Sequence, residues 1–286
     1  MKIAAVQMDI RLARVEDNLD KIVERLRETT GHGARLVVFP ECAVTGYCFG
    51  SLDEARPFAQ SIPGPATERV RRACEDFQCH AIFGMLEAVG EKLFNAAVLV
   101  GPQGVAGSYR KVHLPFLGID RYTTPGDRAF AVHDAPGVRI GLNICYDASF
   151  PEAARSLALL GAELVALPTN WPPGSECVAA HVINTRALEN GIYYAAVNRV
   201  GTEEGFTFIG GSRICDPSGN TLAEAEGRDE KILYAEIDPE RARRKHIVRV
   251  PGKHEIHRFA DRRPEMYDVL TRGHNIKRVH SNSQTD

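Results

Sequence analysis

The chain has 286 residues, of which 44% are hydrophobic and 25% charged, with a formal net charge of -2. That is enough apolar material for one large domain or two small ones. So small a charge gives no reason to expect nucleic acid or a membrane surface as partner. The opening MKIAAVQMDI lacks the apolar run and cleavage site of a signal peptide, and no stretch has the length of a membrane-spanning helix. Seven cysteines occur with no CxxC spacing, which suits reduced thiols in a cytoplasm.

Taken in order, Lys2 to Met8 reads as a buried strand. Val15, Leu19, Ile22, Val23 and Leu26 recur at helical spacing, and Gly31 and Gly33 stop that helix. Leu36 to Phe39 is a short strand halted by Pro40, and Glu41 follows at once. A carboxylate there suits either a site or solvent. A helix over Ala66 to Phe77 precedes strands at Ala81 to Leu86 and Asn95 to Val100. The turn GPQG at 101–104 returns the chain as a hairpin through Tyr109. Arg110 and Lys111 place two cations at that strand end, where a surface lysine is the plain reading. Pro115 to Gly126 reads as a loop.

The segment Val138 to Glu152, VRIGLNICYDASFPE, is the centre of the pattern. Val138, Ile140, Leu142 and Ile144 alternate as in a strand. Pro151 suits a first helical turn, and Ala153 to Leu160 is a good helix-forming run. Cys145 therefore sits on a strand-to-helix turn, a place for a nucleophile with free N–H groups nearby. By itself the pattern suits an inert buried cysteine as well. Beyond it come strands at Glu163 to Leu167, Ile192 to Asn198, Thr207 to Cys215 and Ile232 to Ile237. Helices are expected at 176–190 and from Pro239 to Lys245. From His246 the chain reads as basic and irregular, ending in a frayed polar tail of about a dozen residues. Alternating strands and helices with added hairpins predict an α/β or layered α+β domain over 1–260, with a C-terminal arm and tail over 261–286.

Three blocks then stand out together: VVFPE at 37–41, YRKVHLP at 109–115 and NICYDASFPE at 143–152. Their surroundings resemble the nitrilase superfamily of carbon–nitrogen hydrolases. So do AAVQMD near the start, ALPTNWP at 166–172, RALENGIYYAAVNRVG at 186–201 and GGSRICDPSGN at 210–220. The resemblance implies an αββα sandwich with two central mixed sheets. It implies Cys145 as nucleophile, Glu41 as general base and acid, and Lys111 as oxyanion stabiliser with the backbone N–H of Tyr146. The chemistry is coherent in its own right. A thiolate attacks a C–N carbonyl, a carboxylate moves the protons, and a cation meets the oxyanion, with no metal or organic cofactor. The family's second glutamate, after the lysine motif, has no counterpart in FLGIDRYTTPGD at 116–127. Asp120 is the nearest carboxylate, one methylene shorter, and is either a site member or a solvated loop residue. Asn170 and Trp171 fall in the family's substrate region. His113 suits shaping the site or a structural role. His254 and His257 bracket Glu255, one residue short of the helical zinc pattern.

Cys145-Tyr146-Asp147, rather than Cys-Trp-Glu, resembles the amidase and carbamoylase side of the family. The leading expectation is an amidase that converts a small linear amide to acid and ammonia through a thioester. An N-carbamoyl amine or amino-acid hydrolase, a nitrilase, and a catalytically silent binding or scaffold member are the alternatives. The resemblance also implies a homodimer or larger homo-oligomer, with the helices at 152–160 and 176–190 at the interface.

Overall fold

The computed structural model describes residues 1–135 and 137–273. These form two compact units that part between Arg244 and Lys245, upstream of the expected arm at 261. In the first unit β1 (Lys2–Gln7), α1 (Val15–Gly31) and β2 (Leu36–Val38) lead to α2 (Leu52–Ala55) and α3 (Pro65–Phe77). A meander follows: β3 (His80–Val89), β4 (Lys92–Gly101) and β5 (Gly104–Arg110). The second half runs β6 (Val132–Ala135), β7 (Val138–Leu142), α4 (Pro151–Leu159), β8 (Leu164–Thr169), α5 (Ile183–Asn190) and β9 (Tyr193–Asn198). Then come β10 (Thr202–Glu203), β11 (Phe206–Thr207), β12 (Arg213–Cys215), β13 (Thr221–Glu224), β14 (Lys231–Glu236) and α6 (Pro239–Arg243). The second unit contains the hairpin β15 (His246–Val250) and β16 (His254–His257).

Two six-stranded mixed sheets result, in the orders β14-β1-β2-β3-β4-β5 and β13-β12-β9-β8-β7-β6. Each has a parallel centre, β1-β2-β3 or β7-β8-β9, extended by antiparallel neighbours. The sheets face each other through β1 against β9 and β3 against β8. Helices α1 and α3 pack together over the first sheet, and α4 and α5 over the second. Strands covered on both faces must be apolar on both. Ile3, Ala4, Ala5 and Val6 are all fully buried, as are Val37, Val38, Ile82 and Phe83. Leu19, Ile22 and Leu26 of α1 and Val70 of α3 close the outer core with Ala4, Val37, Ala81 and Phe83. The expected αββα sandwich is what the chain forms. Polar side chains at the C-terminal ends of the parallel strands are then brought together, the usual place for a site in such sheets.

Several local expectations are corrected. The strand expected over Thr207 to Cys215 is broken, because Gly210 and Gly211 both take positive φ (65° and 71°). Phe206–Thr207 pairs instead with Thr202–Glu203. The helix at 176–190 contains a π turn, Val178–Val182. There the Ala180 carbonyl accepts from Arg213 Nη1 (2.7 Å) and the His181 carbonyl from Thr185 Oγ1 (2.9 Å), diverting the regular ladder. The first part of the stretch expected to be irregular, 246–257, is a β-hairpin. Pro115 to Gly126 carries a 3-10 turn, Gly118–Arg121. The expected frayed tail lies outside the described residues.

Candidate active site

Glu41 is delivered by β2, and the backbone after that strand is clamped against β3. Gly84 N–H donates to the Pro40 carbonyl (3.0 Å), and Val44 N–H to that of Gly84 (3.3 Å). A Cβ at Gly84 would stand 2.2 Å from Cys42 N and 2.6 Å from Glu41 Cα, so only glycine permits this approach. Lys111 leaves the end of β5 with its N–H on the Asn95 carbonyl (2.8 Å). Asp120 rides the 3-10 turn, whose Ile119 N–H donates to the Tyr47 carbonyl (2.8 Å).

These side chains meet in one buried network. Lys111 Nζ donates to Glu41 Oε1 (2.6 Å) and also to Asp120 Oδ2. Asn95 Nδ2 donates to Glu41 Oε1 (2.6 Å) and Asp120 Oδ1 (2.9 Å), and Tyr47 OH to Asp120 Oδ2 (2.9 Å). Glu41, Lys111 and Asp120 expose none of their side chains. Lys111 is therefore not a surface lysine, and Asp120 is not a solvated loop residue. Its shorter side chain reaches because the 3-10 turn carries its backbone inward. Asn95 and Tyr47 carry no motif signal in the sequence. An asparagine within the apolar run of β4 is their one hint, since a buried amide needs partners.

Cys145 begins a 3-10 turn, Cys145–Ser149, after β7 and the two residues Asn143 and Ile144, and takes φ +45°. A left-handed conformation in a non-glycine residue is a strain that its surroundings must hold. Asp147 holds it. Its carboxylate accepts from Ile144 N–H (2.9 Å), His113 N–H (3.1 Å) and Tyr109 OH (2.9 Å), and lies 2.7 Å from His113 Nδ1. Tyr109 and His113 flank Lys111, so one fully buried aspartate ties the turn of Cys145 to the lysine's strand end. The His113 ring stacks on Phe150 with centroids 3.7 Å apart. The first N–H groups of such a turn, Tyr146 among them, have no acceptor within it.

Burial pushes the Glu41 carboxyl above its ordinary range, against the pull of Lys111 and with the push of Asp120. Burial alone would lower the Lys111 ammonium, but Asp120 and Glu41 hold it well above its usual value. Burial and the Glu41 charge raise the Cys145 thiol to about 12, while Lys111, the Thr169 hydroxyl and the Asn170 N–H draw it down. Two carboxylates facing one ammonium leave a negative charge uncompensated. A proton on Glu41 relieves it. Burial thus favours the neutral thiol and raises the proton affinity of the Glu41 carboxylate, a direction that suits a general base.

Asn170 follows β8 fully buried, and neither side-chain amide atom has a protein partner among the described residues. Trp171 is also buried, with its N–H on Asn198 Oδ1 (2.8 Å) and its carbonyl taken by Ile209 N–H (3.0 Å). Arg199 exposes nothing. His254 and His257 lie on strand β16 rather than a helix, where residues three apart point to opposite faces.

Comparison with known proteins agrees with this geometry. The profile of the family described as carbon-nitrogen hydrolase matches residues 2–246. A nitrilase of Pyrococcus abyssi is 38% identical, covering 93% of this chain and 99% of its own. An (R)-stereoselective amidase of Pseudomonas sp. is 36% identical, over 83% and 85%. The amidase of Nesterenkonia sp. AN1 superposes with a TM-score of 0.78 at 27% identity, covering 94% of this chain and 97% of its own. That structure is of a mutant of the amidase, with the acetamide moiety of fluoroacetamide covalently added at the active-site cysteine. The chain belongs to the carbon–nitrogen hydrolase family, within the nitrilase superfamily.

Proposed function

We propose that this protein is an amidase that cleaves a small linear amide to a carboxylic acid and ammonia through a thioester on Cys145. The observation that carries the reading is the buried contact of Glu41 with Lys111 beside a thiol held in a strained turn. Glu41 takes the Cys145 proton as sulfur attacks the carbonyl carbon. The oxyanion forms against Lys111 Nζ and the Tyr146 N–H. The protonated Glu41 then gives its proton to the departing ammonia, and the C–N bond breaks. Water, deprotonated by Glu41, opens the thioester, and the thiol is restored. Asp120 positions Lys111. The unpartnered amide of Asn170 is offered to the substrate, and Trp171 walls the pocket.

The exposed Leu159 and Leu160 at the end of α4 and Leu188 on α5 suit a second copy of this chain as a covering surface. All seven cysteines are free thiols, six of them buried, which fits a reducing cytoplasm.

Ammonia release from small amides, N-carbamoyl compounds and nitriles tests the reading, with Cys145→Ala as control. Release from amides alone, lost in the variant, is expected. Carbon dioxide released with the ammonia would move the reading to N-carbamoyl substrates. Release that persists in Cys145→Ala would overturn it.

A further inference from the structure

Glu203 lies in β10, beyond the three motifs, yet its buried carboxylate reaches the loop that follows Glu41. Oε2 accepts from the N–H groups of Tyr47 (2.8 Å) and Cys48 (2.6 Å). Oε1 accepts from Arg199 Nη1 (2.6 Å). Arg199 is itself fixed. It bonds Asp9 Oδ1 (3.1 Å), and its guanidinium lies 4.4 Å from the centroid of the Phe208 ring. The loop has little room to move otherwise, since a Cβ at Gly46 (φ +80°) would stand 2.6 Å from Leu12 Cα. From Tyr47 the chain of contacts runs through its hydroxyl to Asp120, from Asp120 to Lys111, and from Lys111 to Glu41. Every member of this chain is buried.

A buried ion pair adds little net stability over apolar packing of the same shape. What this one supplies is direction. Two adjacent N–H groups are pinned by an anion that a second, wholly buried group orients. The phenol hydroxyl at the far end of Tyr47 is thereby aimed at one oxygen of Asp120. That oxygen also receives Lys111, so the placement of the ammonium against Glu41 depends on it.

We propose that Glu203, held by Arg199, is a positioning residue for the site. It sets Tyr47, and through Tyr47 and Asp120 it sets Lys111 against Glu41 and Cys145. As a claim about turnover it rests on the amidase reading. As a claim about the environment of the Cys145 thiol it does not.

The test uses Glu203→Gln, Tyr47→Phe and the double variant of the full-length protein, with two readouts. Glu203→Gln keeps the volume and one acceptor oxygen but gives up the ion pair. Tyr47→Phe removes one hydroxyl and leaves the loop N–H groups bonded. In the first readout, iodoacetamide alkylation is followed on the Cys145 peptide by mass spectrometry across pH, with no substrate needed. Each single variant is expected to slow alkylation about threefold or more near neutral pH and to move its midpoint upward, as Lys111 loses its fixed place. In the second, amide turnover is expected to fall about tenfold in kcat with KM within about twofold. In both, the double variant should be no worse than the poorer single, because the two residues act in series. The proposal is overturned if Glu203→Gln lowers Tm yet leaves the alkylation profile of Cys145 as in the wild type, or if the two single effects multiply in the double. If the wild type hydrolyses no amide, the amidase reading fails while the alkylation readout still decides this proposal.

Discussion

Lys111 Nζ stands 2.6 Å from Glu41 Oε1, and neither side chain reaches solvent. The same nitrogen bonds Asp120, so one ammonium holds two carboxylates whose side chains expose no surface. That arrangement is costly to bury and informative for that reason. It requires that the lysine stay charged, and it leaves one carboxylate with a raised affinity for a proton.

Lys111→Met should therefore harm both the fold and the reaction. Two buried carboxylates would face each other without a cation, at a cost of about 3–5 kcal/mol by analogy with other broken buried pairs. Turnover should fall by about a hundredfold or more with the loss of the oxyanion's cation. Lys111→Arg should not restore it, since a planar guanidinium cannot take the place of a compact ammonium between these oxygens. Thermal denaturation and steady-state kinetics check both statements. A Lys111→Met protein with wild-type kcat would contradict them.

Asp120→Asn keeps the shape and the acceptor for Tyr47 but removes the second charge on Lys111. Turnover should drop about ten- to a hundredfold, mostly in kcat, because the ammonium is no longer fixed in direction. An unchanged kcat would return Asp120 to a purely structural part.

The pH dependence follows from Glu41. Its carboxyl titrates above the ordinary 4.5 because of burial, and it must be ionised to accept the thiol proton. The acid limb of kcat/KM should lie above 4.5, with the Cys145 thiol titrating far on the alkaline side, near 12. For stability the sign is the reverse of a salt-bridged carboxylate. A raised folded-state pKa stabilises fully below the unfolded value and loses that contribution as pH rises through the folded value. Glu41→Gln should thus be inactive yet melt no lower than the wild type at neutral pH. A gain of about 1 kcal/mol would raise Tm by about 2–4 °C in a chain of this size. A marked loss of Tm at neutral pH would show that the ionised form is the stabilised one.

Gly84→Ala tests the backbone approach behind Glu41. The added methyl would collide with the Cys42 nitrogen and the Glu41 Cα, so the clamp between β2 and β3 must open. A loss of about 1–3 kcal/mol in stability is expected, as for other overpacked sites, together with a fall in kcat. Chemical denaturation and kinetics on the same preparation would reveal it, and a neutral outcome on both would refute the clamp.

The sequence made the sheets and the strand-to-helix presentation of Cys145 legible, because apolar periodicity and Pro151 are local signals. Glu41 and Lys111 were legible as members of motifs, not as a pair. Their contact spans 70 positions of chain, and no local pattern encodes it. Asp120 could not be placed, since its reach depends on the path of a 3-10 turn rather than on side-chain length. Tyr47, Asn95, Asp147 and Glu203 were passed over for the same reason: each matters through a partner on another element. The strand at Thr207 to Cys215 was misread because Gly210 and Gly211 act as a pair, and apolar alternation carries across them.

The most direct measurement is the intact and peptide mass of the protein quenched during turnover of a small amide. The account predicts an acyl group on Cys145, formed with release of ammonia, and absent with all turnover in Cys145→Ala. Ammonia released by the Cys145→Ala protein, or turnover with the acyl group on another residue, would contradict it.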